Sequence, residues 1–101
     1  MRVYLTRRNN EIKATGEYDI DTKRLKVLKG SVVSSKIAYS ERFRGSSTIE
    51  KYREQYTKDR VVTQDVEFKS SSTAANFVTG SSTNGLVVWR DENGTKLKEL
   101  V

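Results

Sequence analysis

No cysteine, no histidine and no proline occur in these 101 residues. Without cysteine there are no disulfides, no zinc thiolate sites and no thiol nucleophile. Without histidine the commonest general base and the commonest metal ligand are missing. An enzyme built here would have to work with carboxylates, lysine, tyrosine or hydroxyls. A small secreted scaffold usually leans on disulfides, so this chain does not read as one. Apolar residues are scarce as well, at 35%, against roughly 45–50% in ordinary globular chains when glycine is counted among them. The core is therefore expected to be thin and carried by a few key residues. No apolar run approaches the length of a membrane helix. Met1 to Asn10 carries three arginines and no apolar core, which is unlike a signal peptide. A cytosolic setting is the expectation, and the length has room for one domain spanning 1–101.

What the chain does have is positive charge. Lysine and arginine number 19 against 13 acidic residues, a net charge of +6. Residues 1–45 hold 11 basic and 5 acidic side chains, and residues 46–101 hold 8 of each. The whole excess lies in the first part of the chain, a pattern that points to a polyanionic partner such as nucleic acid. The bland counterpart is solubility, since small soluble domains commonly carry a net charge of magnitude ~2–8.

The periodicity predicts an α+β fold. Arg2 to Thr6 alternates polar and apolar residues and reads as a strand, followed by a turn at Asn9-Asn10. In residues 11–18, Ile12, Ala14 and Tyr18 fall on one face and Lys13, Thr15 and Glu17 on the other. After a polar turn at 19–23, Arg24 to Lys29 forms a third strand, completing an antiparallel meander. Lys13, Arg24 and Lys26 then point away from the core, making one sheet face basic. Residues 34–45 read as irregular, with Ile37, Tyr39 and Phe43 as anchors. A helix over 47–59 starts on the capping box Ser47-Thr48-Ile49-Glu50 and carries the stripe Ile49, Tyr52, Tyr56. Glu50 and Glu54 are spaced to meet Arg53 and Lys58 on its wet face. A second helix over 71–79 is capped by Ser70, buries Ala74, Phe77 and Val78, and stops at Gly80. The 21 serines and threonines, clustered at 70–73 and 81–83, read as capping and turn chemistry. The C-terminal part reads as a β-hairpin candidate, with Leu86, Val88 and Arg90 alternating with Val87 and Trp89, a type I′ turn pair at Asn93-Gly94, and Leu97 and Leu100 closing the unit as a strand or a short helical turn.

No catalytic or metal-binding constellation emerges, so neither catalytic residues nor a cofactor is expected. Ser70, Ser71 and Ser72 are best read as a helix start. Lys29-Gly30-Ser31 ends like a phosphate-binding loop, but the position five before Gly30 is Leu25 rather than glycine. Asp19 and Asp21 could open a calcium loop, but Arg24 stands where that loop needs glycine. Asn84-Gly85 followed by Trp89-Arg90 is the one recognition-like set. Asparagine can bond a base edge, tryptophan can stack and arginine can grip phosphate. The bland counterparts are a turn at Asn84-Gly85 and a core anchor at Trp89, and core is the preferred reading for the tryptophan.

One group of elements, taken in order, resembles a known family. Phe68-Lys69-Ser70-Ser71-Ser72-Thr73-Ala74-Ala75, Val78, Gly80, Asn84-Gly85-Leu86, Trp89, Gly94 and Leu97 resemble the pattern of domain of unknown function 4357. Val27-Leu28-Lys29-Gly30-Ser31 matches that family's V-L-K-G-S element, and the likeness covers about residues 12–100. Ser71 stands at the usual proline, and Leu86 replaces the usual tryptophan after N-G, removing an aromatic that could stack on a ligand. The resemblance implies a non-catalytic module at the C-terminus of GIY-YIG nucleases and restriction-type proteins, similar to RAMA domains. That is analogy at the level of fold.

The resulting expectation is a DNA-binding or modified-DNA-sensing accessory domain. Arg7, Arg8, Lys13, Lys26, Lys36, Arg42 and Arg44 would meet phosphates, and Lys69, Asn84 and Arg90 would approach bases or backbone. The alternative is a protein-interaction module docking a nuclease or methylase. Both discount a membrane; the nucleic-acid reading hangs on whether the basic residues of the first third converge on one patch, and the docking alternative on exposed aromatics or a free strand edge.

Overall fold

The computed structural model describes residues 1–7, 11–37 and 46–101. Three strands open the chain: β1 (Arg2–Arg7), β2 (Ile12–Tyr18) and β3 (Leu25–Val27). They pair antiparallel as the alternation predicts, with Leu5 opposite Ala14 and Gly16 opposite Val27. The 19–23 turn is tied by Asp19, whose carboxylate accepts the amides of Asp21 (2.9 Å) and Thr22 (3.2 Å). Gly16 is closely packed: a Cβ there would sit 2.8 Å from the end of the Leu25 side chain and 3.2 Å from the Lys26 carbonyl oxygen, so both neighbours would have to give. The V-L-K-G-S element ends β3 with a bulge. The Ser31 hydroxyl takes the Thr15 amide (3.0 Å) and donates to the Thr15 carbonyl (3.3 Å), replacing a rung of the ladder. Ser31 is therefore a buried polar residue with its hydrogen bonds met.

Helix α1 (Ser46–Tyr56) starts one residue earlier than expected, so Ser47 lies in its first turn rather than at its cap. It ends at Tyr56, three residues short of the expected Asp59. The Thr57 hydroxyl bonds back to the Arg53 carbonyl (2.5 Å), and the chain turns into a small hairpin of β4 (Thr57–Lys58) and β5 (Val61–Val62). Asp59 and Arg60 make the turn with φ of 52° and 72°, the left-handed region that L side chains avoid. Arg60 is held there by its own guanidinium, which donates to the carbonyls of Val33 (3.0 Å) and Glu11 (2.7 Å).

β6 (Val66–Phe68) then joins the outer side of β3, giving a four-stranded antiparallel sheet in the order β1-β2-β3-β6. Helix α2 (Ser71–Thr79) follows, with Ser70 accepting the Thr73 amide at its cap and Gly80 closing it at φ 73°. It packs on β2, β3 and β6. Gly80 answers two demands, because a Cβ there would also lie 2.2 Å from the Lys36 carbonyl oxygen. The core is the inner sheet face with α2: Val3, Leu5, Ile12, Leu25, Val27, Phe68, Ala74, Ala75, Phe77 and Val78 are all buried. Tyr52 of α1 closes it against Phe68 (5.1 Å between ring centroids), which also meets Phe77 at 5.0 Å. Arg53 does not lie on a wet face as expected. Its guanidinium donates to the carbonyls of Phe77 (2.8 Å), Val78 (3.2 Å) and Ser34 (2.6 Å), neutralising the negative end of α2.

The C-terminal part departs from the expected hairpin. Residues 85–88 form a helical turn, α3 (Gly85–Val88), not a strand. The Asn84 side chain caps it through the Leu86 amide, and the Gly85 amide donates to the Ser72 hydroxyl (3.0 Å). A Cβ on Gly85 would lie 2.2 Å from the Ser71 carbonyl carbon, so only glycine lets α3 rest on the start of α2. Tertiary packing here overrides the strand preference of two adjacent valines. Arg90 and Lys96 then form one antiparallel bridge. The turn between them has positive φ only at Gly94 (83°), with the Gly94 amide on the Asp91 carbonyl (3.0 Å). That is a type I turn with a left-handed glycine, not type I′. α4 (Leu97–Leu100) ends the chain, with Leu97 buried. Trp89 is fully buried and donates its indole N–H to the Ser71 carbonyl (3.0 Å). It is a core anchor, as the sequence favours. No helix among the described residues is long and apolar enough to cross a membrane.

A candidate surface on the outer sheet face

The helices cover one side of the sheet, and the residues of the other phase stay out of the core. In register, Arg2 faces Glu17, Glu17 faces Lys26, and Lys26 faces Glu67. This row crosses the four strands with alternating sign. Arg2 and Glu17 are ion-paired, and Arg24 reaches Glu67 at 3.6 Å. The expected basic sheet face is therefore a neutral ladder at this end. The cause is register: β6 arrives from far along the chain and sets an acid beside Lys26.

The other end of the face differs. Arg90 is hydrogen-bonded to Tyr4 in both directions, amide to carbonyl, at 2.7 and 2.9 Å. This pairing puts Lys96, Arg90, Tyr4 and Thr15 in one row of side chains on the outer side. The next row holds Thr6, Lys13 and Val32. From strand and row spacings, Arg90 and Lys13 lie about 12 Å apart across the sheet. Tyr4 is 38% exposed between them. Neither Arg90 nor Lys13 forms an ion pair among the described residues.

Beside this row lies a hollow of about 460 Å³ with Tyr4, Thr6 and Val88 along its apolar wall and Arg90, Asp91 and Glu92 at its rim. The Arg90 guanidinium leans over the turn to the Gly94 carbonyl (3.3 Å). Asp91 is occupied by the turn, its carboxylate accepting the amides of Asn93 and Thr95, both at 2.9 Å. Glu92 is exposed at the turn.

The sequence-derived residues do not converge on one patch. Lys13 and Arg90 share the Tyr4 region, and Arg7 stands exposed at the end of β1. Lys26 is at the neutral end. Lys69 and Asn84 flank the start of α2 and α3, and the Asn84 carbonyl oxygen is already taken as a cap. Lys36 lies at the opposite end of α2, beside Gly80. Arg8, Arg42 and Arg44, with the Asn9-Asn10 turn and Tyr39 and Phe43, lie outside the described residues. Tyr4, Thr6 and Lys96 were missed. The signal for Tyr4 was present: it is an aromatic in the polar phase of an alternating strand.

The elements that carry the family resemblance have structural tasks throughout. Ser31 bridges the ladder, Ser70 and Asn84 cap helices, Ser71 holds the indole, Gly80 and Gly85 allow close approach, and Trp89 and Leu97 fill the core. A family model described as a domain of unknown function matches residues 4–101. No curated protein and no solved structure matches the chain.

Proposed function

This chain belongs to that family, DUF4357, whose pattern describes a frame rather than a reactive centre, and on this basis we propose that it is a non-catalytic accessory domain that binds nucleic acid, DNA first, through the outer sheet face. The observation that supports the reading is the Tyr4 region: an exposed aromatic between Arg90 and Lys13, cations with no ion-pair partner among the described residues, on the side the helices leave open. Lys96 extends the positive rim, whereas Arg7, opposite the buried Ile12, belongs to the inner phase of β1. Elsewhere Arg2, Arg24 and Arg60 are paired with acids, and Arg53 serves α2. Work beside a nuclease or methylase, in a restriction-type setting within the cytoplasm, belongs to the same proposal.

Titrating labelled DNA with the chain at two ionic strengths tests it. Affinity should fall steeply with salt, with a slope of about −0.9 per duplex phosphate engaged and about −0.7 per phosphate of a single strand. The double change Lys13→Glu with Arg90→Glu should weaken binding at least tenfold. Absence of binding at low salt, or a flat salt response, would end the proposal. A second reading, docking of a protein partner, draws on β6, which is the outermost strand of the sheet on its side. Capture of a nuclease partner that survives digestion of all nucleic acid, and is lost on Glu67→Pro, would favour it.

A further inference from the structure

We propose that the hollow between Tyr4 and the 91–94 turn receives one unstacked base of a single strand, a base carrying an exocyclic amino group, while Arg90 and Lys13 hold the neighbouring phosphates. The inference rests on the nucleic-acid reading above and specifies its ligand. The hollow's volume of about 460 Å³ lies within the range of ~300–1,000 Å³ typical of small-ligand pockets. Such a space takes a ring, not a base pair still stacked in a duplex. Its wall is mostly apolar, with the Tyr4 ring available for stacking, a sequence-tolerant contact worth about 1–3 kcal/mol per base.

The rim decides which part of the nucleotide enters. Asp91 and Glu92 repel a phosphate, so the backbone must pass on the side of Arg90 and Lys13. Both turn amides fall on one oxygen of Asp91, Oδ1, while Glu92 is the more exposed of the two and no hydrogen bond or ion pair to its carboxylate is found among the described residues. A carboxylate only accepts hydrogen bonds at neutral pH. It favours the amino group of cytosine, adenine or guanine and disfavours thymine, which has none and whose outer edge presents two carbonyls around one N–H.

Fluorescence anisotropy of the full chain with labelled oligodeoxycytidine, oligodeoxyadenosine, oligothymidine and a mixed-sequence duplex tests this. Single strands should bind ahead of duplex, and cytidine and adenosine strands ahead of thymidine by about fivefold, the scale of one hydrogen bond. Tyr4→Ala should cost about tenfold on single strands, and Lys51→Gln on α1 should cost nothing. Because Tyr4→Ala touches a sheet strand, its fold is checked by thermal melting. Glu92→Gln, on an exposed turn, supplies the independent arm and should erase the preference over thymidine. Duplex binding as tight as single-strand binding, with Tyr4→Ala silent, overturns the base hollow yet leaves the wider reading standing if Lys13 and Arg90 still matter. No oligonucleotide bound at low salt overturns both.

Discussion

Single residues carry unusual weight in a core this thin. Trp89 joins volume with a hydrogen bond, and Trp89→Phe removes both part of the packing and the donor for the buried Ser71 carbonyl. A loss of about 2–4 kcal/mol is expected in urea unfolding. Asp19 offers a pH test. Its carboxyl is held below the ordinary aspartate range by the backbone amide of Thr22 first and that of Asp21 second. A lowered folded-state value stabilises the native state above the unfolded-state pKa, and that contribution fades as pH falls through the folded-state value. Asp19→Asn keeps an acceptor for the turn but removes the titration. The variant should therefore show a shallower fall in melting temperature on acidification than the parent, with the curves diverging below the usual aspartate range. Trp89 and the caps of α2, Ser70 and Gly80, were legible in the sequence because residue type alone limits where they can sit. Tyr4 was not used, although its place in the polar phase marked it.

At the scale of elements, the meander and α2 follow from local rules, since alternation, turn residues and caps agree. α3 does not. Asn84-Gly85 serves equally as a turn or as a cap followed by a close contact, and only the arrival of α2 decides between them. The two glycines of this region separate the cases. At Gly85 an added methyl collides with backbone, so Gly85→Ala should cost about 3 kcal/mol or more. At Gly94 there is open space and only a left-handed φ, so Gly94→Ala should cost about 1 kcal/mol. Chemical denaturation of the pair checks the contrast. The β4–β5 hairpin gives another. Arg60→Ala and Arg60→Gly both lose the bonds to Val33 and Glu11, but glycine alone relieves the left-handed backbone. The glycine variant should be the more stable by about 1 kcal/mol.

For the whole molecule, charge counting located an excess in the first 45 residues but not its place on the surface. Strand phase showed that Lys13 and Lys26 leave the core, yet register decides their neighbours, and the acid beside Lys26 comes from residue 67. The sheet face is consequently divided: a ladder of alternating sign at one end, cations around an aromatic at the other. The division predicts the effect of removing the acids. Glu17→Gln with Glu67→Gln raises the net charge from +6 to about +8 and frees Arg2, Arg24 and Lys26. If the outer face meets DNA, the variant should bind duplex several-fold more tightly at low salt, with the gain vanishing as salt rises.

The single indole of the chain is sealed from water on the inner side, away from the surface proposed for nucleic acid. Its emission should be blue-shifted in the native state and move to the red on denaturation. An oligonucleotide arriving on the opposite face of the sheet should leave that colour unchanged. One optical signal thus reports folding independently of occupancy, and every variant above that keeps Trp89 can be certified as native in the same cuvette in which its binding is measured.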